Sequence, residues 1–225
     1  MNRVSRVLVA LAVFPTLMLT SCTLIPWAVA QIKTTKKVEA KYAVPKGKVI
    51  LALVESSLVD TDQPVAMLLT ERINRRFAKA KVAASTVPYS SVLDLAAATP
   101  GYGEMRPADV GKKLGADIVC YVVLYEFSLK DRSLGDLWRG KMQGAVCLVD
   151  AGTGKRLWPI GPLEGYQLKP VTTPPTAESS PDYSEELTQV LCESMADRVA
   201  KLFYDHKIPI DAEEDVEPQD IWTLE

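Results

Sequence analysis

The segment Ile118–Leu129 constrains the fold more than any other part of the sequence. It begins Ile-Val-Cys-Tyr-Val-Val-Leu-Tyr, which is apolar or aromatic at every position, so neither face of a strand formed by it suits water. Strands with that pattern lie inside sheets that are covered on both faces. The segment therefore predicts a central strand, and the continuous apolar run Lys48–Val54 predicts a second strand of the same kind.

Two amphipathic segments predict helices that can cover such a sheet. The first follows a helix-start signal at Asp60–Asp62, with proline at Pro64, and its apolar residues recur every four positions as far as Phe77. The second begins at Asp182, with Glu185 placed as in a capping box. We expect one side of this last helix to be buried through an apolar stripe: Leu187, Val190, Leu191, Met195, Val199, Leu202 and Phe203.

Shorter segments complete the predicted order of elements. Lys81–Val87 predicts a strand, and two short helices follow it at Val92–Ala98 and Pro107–Leu114. Lys141–Asp150 and Arg156–Trp158 are joined to the central strand by polar turns and predict an antiparallel meander with it. The predicted fold class is α/β, a mixed sheet with helices on both faces, in the order β-α-β-α-α-β-β-β-α.

The N-terminus has the three parts of an export signal. Arg3 and Arg6 give it a positive start, and Val7–Leu19 is an apolar run of about 13 residues, too short to span a bilayer as a helix. The run ends in Leu19-Thr20-Ser21-Cys22, which resembles the lipobox of bacterial lipoprotein precursors. That resemblance implies cleavage between Ser21 and Cys22, a diacylglyceryl thioether on Cys22, and a fatty acyl group such as palmitate on the new amino terminus.

The chain divides into four predicted parts. Residues 1–21 form the signal peptide, 22–46 a lipid-anchored tether, 47–206 the α/β domain, and 207–225 an acidic tail that we expect to be disordered. Two or three acyl chains hold a protein on a membrane almost irreversibly. The predicted location is therefore a bacterial membrane with the domain facing the periplasm, and the sequence leaves the choice of inner or outer membrane open.

The sequence lacks familiar catalytic and binding motifs. We expect its single histidine, His206, to cap the last helix through the helix dipole rather than to act in catalysis. Gly152–Lys155 lacks the first glycine and the Ser or Thr of a phosphate-binding loop. The net charge of −2 gives no basic surface for binding nucleic acid. We therefore expect no enzyme activity, no cofactor, no metal and no nucleic-acid partner.

Three cysteines lie in the predicted domain: Cys120, Cys147 and Cys192. If the hairpin of the two central strands closes symmetrically about residues 133–134, Cys120 faces Cys147 and Glu126 faces Lys141 as a charge pair. Directly opposed positions hold a disulfide only under strain. We expect neighbouring buried free thiols at 120 and 147, and a disulfide between them is the alternative.

Two motifs in the predicted domain resemble a known group of proteins. Leu114-Gly-Ala-Asp117 leads into the central strand, and Asp150-Ala-Gly-Thr-Gly-Lys-Arg-Leu-Trp158 joins the next two strands. With the lipobox, they are similar to the motifs of envelope lipoproteins that share the fold of the TolB N-terminal domain, among them LpoB, a peptidoglycan-synthase activator, and CsgG, a curli secretion lipoprotein. The resemblance covers about residues 47–206 and implies the α/β fold. It implies no catalytic residues, and the members of the group differ in function.

The sequence thus predicts a non-enzymatic, lipid-anchored envelope protein that works as an adaptor or assembly factor. Its predicted partners are membrane lipid, through Cys22, and an envelope protein that the sequence does not identify. An alternative is an oligomeric accessory subunit of a secretion or transport system, so a homo-oligomer stays open. A third hypothesis is an envelope hydrolase that uses Glu55 or Asp60, which flank the end of the first strand, a place where α/β sheets bind ligands.

Overall fold

The structure is a computed structural model that describes residues 35–56, 63–131, 133, 137–162, 164–177 and 182–210. Within this part of the chain, residues 35–38 and 207–210 belong to one compact unit and residues 39–206 to another. In these segments no helix is long and apolar enough to cross a membrane. The predicted signal peptide and most of the predicted acidic tail lie outside the described residues.

The longer elements follow the predicted order, and the α/β class is confirmed. In the described segments the strands are β1 Thr35–Val38, β2 Val49–Ser56, β3 Ser85–Thr86, β4 Ile118–Asp131, β5 Leu137–Asp150, β6 Arg156–Trp158, β7 Tyr166–Gln167, β8 Val171–Thr172 and β9 His206–Pro209. The helices are α1 Gln63–Ala80, α2 Tyr89–Ala98, α3 Pro107–Lys113 and α4 Tyr183–Lys201, with a 3-10 turn at Tyr102–Glu104. β3 is shorter than predicted, and β7 and β8 are additional short strands between β6 and α4.

The larger unit is built on a mixed sheet in the order β3-β2-β4-β5-β6, with β7 and β8 paired farther along β5. β2 is parallel to both β3 and β4, whereas β5 is antiparallel to β4 and β6. β4 lies at the centre, as its apolar sequence predicts, and its residues Val119, Cys120 and Val122 are completely buried. β1 and β9 form a separate two-stranded sheet.

Helices cover both faces of the sheet. On one face, α1 and α4 bury the residues that alternate along β4 within Cys120–Leu124. Gly140 of β5 lets α4 approach closely, since a Cβ atom there would lie 2.9 Å from a methyl carbon of Leu191. On the other face, α2 and α3 bury a smaller cluster around Leu51 of β2 and Val119 of β4. The helices therefore give the two-sided apolar strands the cover that their sequences require.

The predicted stripe on α4 is buried at most positions. Leu191 is completely buried, whereas its neighbour Val190, which the prediction included, is 46% exposed. Smaller residues fill the remaining buried positions of the helix: Cys192, Ala196 and Ala200. The predicted capping box is wrong, because Asp182 adopts a helical conformation at the N-cap and its side chain makes no capping hydrogen bond.

His206 does not cap the last helix. α4 ends at Lys201, and His206 begins β9, where one ring nitrogen lies 3.2 Å from the carbonyl oxygen of Tyr204. The apolar pattern runs past the helix because Phe203 is buried in the turn that follows it. The apolar periodicity, which continues to Phe203, therefore predicts a longer helix than the structure has.

The predicted register of the β4–β5 hairpin is wrong by one residue around the cysteines and by two residues around Glu126. Cys147 faces Tyr121 and Cys120 faces Leu148, so the two thiols lie on opposite faces of the sheet. Farther along the hairpin, a bulge leaves Tyr125 without a directly opposed residue. All three cysteines of the domain are buried and free, as expected, but those at 120 and 147 do not face each other.

The predicted Glu126–Lys141 ion pair forms in spite of the register error. The ammonium nitrogen of Lys141 lies 2.8 Å from the carboxylate of Glu126. The two residues are diagonal neighbours, since Glu126 faces Gln143 and Lys141 faces Ser128. Long side chains reach diagonal positions on the same face of a sheet, so this contact does not depend on the predicted register.

The boundaries at residues 46 and 206 stay predictions, but the larger unit includes chain before residue 47. Tyr42 and Val44 pack against its buried core. The backbone N–H groups of Lys41 and Tyr42 donate to the carbonyl of Leu202 at 2.8 and 3.2 Å. Part of the segment predicted as tether is therefore attached to the end of α4.

The two motifs that carry the family resemblance have structural roles. The Asp117 carboxylate accepts hydrogen bonds from the N–H of Val49 at 2.8 Å and the ammonium of Lys48 at 3.1 Å, which ties β2 to β4. These bonds hold the pKa of Asp117 below its usual value. Asp150 accepts bonds from the N–H and the hydroxyl of Thr153 at 2.7 and 2.8 Å, which closes the turn into β6. Both motifs are explained by the fold.

Candidate functional site

The structure describes one of the functional residues proposed from the sequence and leaves three out. Ser21 and Cys22, proposed for cleavage and lipid attachment, lie outside the described residues, as does Asp60. Glu55 is described and lies exposed near the end of β2. The structure brings Glu55 together with tyrosines that the sequence did not single out.

One part of the sheet is not covered by the described helices. The cluster that α2 and α3 bury extends along β4 only as far as Tyr121. Farther along the same face, Val123 and Tyr125 are only partly buried. Glu55 of β2 and Ala145 of β5 flank Val123 on either side. We call this region the open sheet face and define it by Glu55, Tyr121, Val123, Tyr125, Gln143 and Gln167.

A hydrogen bond joins two strands at one end of the open sheet face. The hydroxyl of Tyr121 donates to the Oε2 atom of Glu55 at 2.6 Å. Partial burial raises the pKa of Tyr121, and the hydrogen bond to Glu55 and its negative charge raise it further. The phenol therefore stays protonated at neutral pH and serves as a fixed donor to the carboxylate.

Two more tyrosines, Tyr89 and Tyr102, pack against the same buried cluster as Tyr121. Gly101 adopts a positive φ of 76°, which lets the chain turn sharply between α2 and Tyr102. Burial raises the pKa of Tyr102, and the charge of Glu55 and the proximity of Tyr89 raise it further. Tyr102 thus packs on the same cluster as Tyr121, the hydrogen-bond partner of Glu55.

Tyr125 is held at the other end of the open sheet face. Its hydroxyl donates to the side-chain carbonyl of Gln167, which belongs to β7. Burial raises the pKa of Tyr125, and a hydrogen bond with Gln143 of β5 partly opposes that effect. The bulge in β4 thus exposes an aromatic ring whose hydroxyl is held by the amide of Gln167, with Val123 between Tyr125 and Tyr121.

The thiols of the domain are not arranged as nucleophiles. Cys147 faces Tyr121 across the strands, and burial raises its pKa while the charge of Arg156 lowers it. Burial also raises the pKa of Cys120, and it raises the pKa of Cys192 to about 12. Thiols of this kind stay protonated at neutral pH, and the thiolate is the reactive form.

The sequence points to Glu55 but not to the tyrosines, for an identifiable reason. Tyr121 and Tyr125 occupy positions in a strand whose pattern is apolar on both faces. The signal was their hydroxyl groups, because a buried phenol needs a hydrogen-bond partner and here both partners lie on neighbouring strands. Tyr102 gave no such signal, since its position depends on how the turn after α2 packs.

No family model and no curated protein matches the sequence. Similar solved structures include the lipoprotein GNA1162 from Neisseria meningitidis, with 16% identity and a TM-score of 0.40 over 68% of this chain and 99% of that chain. The PelC dodecamer from Paraburkholderia phytofirmans is 11% identical, with a TM-score of 0.41 over 74% of this chain and 96% of that chain.

A third similar structure is protein XCC0632 of the DUF330 family model, from Xanthomonas campestris. It is 9% identical, with a TM-score of 0.41 over 71% of this chain and 85% of that chain. The structural neighbours thus include a bacterial lipoprotein. Similarities as low as these carry no argument about the activity or the assembly of this chain.

Proposed function

We propose that this chain is a lipid-anchored cell-envelope protein that acts without catalysis, by contact with another envelope protein, as an adaptor or assembly factor. The anchor is supported by the lipobox at Leu19–Cys22 and the export signal before it. The contact function is supported by one structural observation, the open sheet face.

Tyrosine is among the residues that contribute most to protein interfaces, because it offers a large apolar ring together with a hydroxyl. Tyr121 and Tyr125 are already held by hydrogen bonds to Glu55 and Gln167, so a partner that packs on them restricts little further motion. Val123 between them supplies an apolar floor.

The size of the open sheet face suits the centre of an interface. Four strands, each contributing about four residues, cover roughly 19 Å by 13 Å, or about 250 Å². A standard interface buries about 800 Å² on each partner, and its strongest contacts lie near the middle. The open sheet face is therefore proposed as the central contact, with the adjoining surface as its rim.

The anchor is tested by replacing the cysteine of the lipobox. Cells that express the natural chain or Cys22→Ser are labelled with a radioactive fatty acid. We expect label in the natural protein and none in Cys22→Ser, which should also keep its signal peptide. Equal labelling of the two proteins would contradict the proposed anchor.

The contact function is tested with a photo-cross-linking amino acid at Val123. The matched control carries the same group at Arg75, which is exposed on α1 on the other side of the sheet. After irradiation of intact cells, we expect a discrete adduct with a second envelope protein from position 123 and none from position 75. Identical products from both positions, or none from 123, would contradict the proposal, and an adduct of this chain alone would favour the homo-oligomer.

A further inference from the structure

The carboxylate of Glu55 has no cationic partner among the described residues. Its hydrogen-bond partner there is the hydroxyl of Tyr121, which occupies Oε2. Glu126, an acidic residue of β4, is instead paired with the ammonium of Lys141 at 2.8 Å. The charge of Glu126 is therefore neutralised within the sheet, whereas the charge of Glu55 is not neutralised by a described residue.

Arg156 is a basic residue of the same sheet, but it lies far from Glu55 and has another role. Arg156 belongs to β6, three strands from β2, a separation of about 14 Å at the usual spacing of strands. Its guanidinium donates to the carbonyl of Pro162 and so closes the loop after β6. No basic side chain of the described residues therefore neutralises Glu55, which is exposed.

We propose that Glu55, together with Tyr102 and Tyr121, receives a lysine or arginine side chain of the partner protein. This inference rests on the proposed contact function and names the chemistry that the partner brings to the open sheet face. The partner's cation donates to the Oε1 atom of Glu55, and hydrogen bonds of this charge-assisted kind are stronger than neutral ones.

The tyrosines favour a cation over a neutral donor. Tyr121 is hydrogen-bonded to Glu55, and Tyr102 packs against the same buried cluster as Tyr121. The face of a tyrosine ring attracts an ammonium or guanidinium group. The carbon chain of a lysine or arginine can lie along the apolar floor at Val123 while its charged end reaches the carboxylate. A partner with a neutral apolar residue at this point would leave Glu55 desolvated and unpaired, which is unfavourable.

The test uses detergent-solubilised full-length protein with isotope-labelled tyrosine rings, followed by NMR. The probes are the peptide amides acetyl-Gly-Lys-Gly and acetyl-Gly-Arg-Gly, and the neutral control is acetyl-Gly-norleucine-Gly. We expect the two cationic peptides to shift the ring signals of Tyr102 and Tyr121 in a saturable way. We expect the norleucine peptide to bind about tenfold more weakly or not at all.

The carboxylate is tested with two matched variants. Glu55→Gln keeps an acceptor for Tyr121 but removes the charge, and we expect it to weaken binding of the cationic peptides about tenfold. Glu104→Gln removes an exposed carboxylate from the neighbouring 3-10 turn and should leave binding unchanged. Unchanged signals from Tyr125 in both variants confirm that the sheet is intact.

Three results would overturn the inference: equal binding of the norleucine peptide, equal loss in the two variants, or no loss in Glu55→Gln. Cross-linking from Val123 separates such a failure from failure of the proposed function. If the adduct forms at normal yield in Glu55→Gln, the contact function stands, and the proposal that the partner binds Glu55 through a lysine or arginine is wrong. If no adduct forms while the cationic peptides bind at Glu55, the proposed function is wrong, and so is the assignment of the cation to a protein partner.

Discussion

Asp117 shows what a single carboxylate contributes to this fold. It joins the first residues of β2 to the first residues of β4 through the N–H of Val49 and the ammonium of Lys48. Both bonds favour the charged form of the carboxylate, and the pKa of Asp117 is lowered accordingly. A group with a lowered pKa stabilises the folded state above its unfolded pKa, and this contribution is lost as the pH falls through the folded pKa.

We therefore expect Asp117→Asn to lower the melting temperature at pH 6. The difference from the natural protein should shrink as the pH falls below about 4, the usual pKa of an aspartate, because the natural carboxylate is then protonated as well. Melting curves followed by circular dichroism between pH 2 and pH 6 measure the effect. Glu104→Gln is the control, and an equal pH profile for the two variants would contradict the role given to Asp117.

The thiols allow a second test at the scale of single residues. Because Cys120 and Cys147 lie on opposite faces of the sheet, they cannot form a disulfide without breaking the β4–β5 register. In a Cys22→Ser background, we expect iodoacetamide at pH 8 to modify none of the three domain thiols quickly, since all are buried and their pKa values are raised.

In urea the same reagent should modify all three thiols, without prior reduction. Mass spectrometry counts the added groups. A mass lower by two hydrogens, with only one thiol modified in urea, would show a disulfide. If the modified thiol were Cys192, the bridge would join Cys120 to Cys147 and the register of the structure would be wrong.

At the scale of elements, the packing of α4 gives a matched pair of positions. Leu191 is completely buried against β5, whereas the adjacent Val190 is 46% exposed. We expect Leu191→Ala to cost about 2–5 kcal/mol of unfolding free energy, because it leaves a cavity in the core. Val190→Ala should change it by no more than about 0.5 kcal/mol. Urea unfolding of both variants measures the difference, and a large loss in Val190→Ala would mean that this position faces a partner structure.

The elements themselves could largely be predicted from the sequence, and their exact alignment could not. The two-sided apolar runs placed β2 and β4 correctly, because burial on both faces leaves a continuous pattern. The predicted hairpin register was wrong because nothing in the sequence fixes the closing turn, after which Asp131 already faces Leu137 and not residue 136. Two bulges, between Ser128 and Lys130 and at Tyr125, then shift the pairing in opposite directions and leave the one-residue error at the cysteines. The exposure of Val190 was missed for a related reason, since an apolar residue at the border of a helix stripe looks the same whether or not a neighbour covers it.

The candidate site was predictable only in part. Glu55 follows an apolar run directly, and the end of a buried strand is a place where functional residues gather. Its neighbour Tyr102 comes from a turn far along the chain, and Tyr121 contributes through a hydroxyl on an otherwise apolar strand. Contacts of this kind arise from tertiary packing, which local periodicity does not encode.

At the scale of the whole molecule, the larger unit reaches back before the predicted domain start at residue 47. We expect a fragment of residues 39–206 to be about 2–4 kcal/mol more stable than one of residues 47–206. The longer fragment keeps the partly buried Tyr42 and Val44 and the two backbone hydrogen bonds to Leu202. Urea unfolding of the two fragments measures the difference, and equal stability would show that residues 39–46 do not contribute to the core.

The parallel pairing of β2 with β4 constrains the order in which the strands can pair during synthesis. Val49 and its partner Asp117 lie 68 residues apart in the chain, so a ribosome that adds about 5–20 residues per second needs roughly 3–14 s to supply the second after the first. During that interval β2, apolar on both faces, can pair only with the two-residue strand β3. The β4–β5 hairpin needs no such delay, since its two strands are adjacent in the chain. We therefore expect the β4–β5 hairpin to form before β2 joins the sheet, and β2 to need protection from aggregation until then.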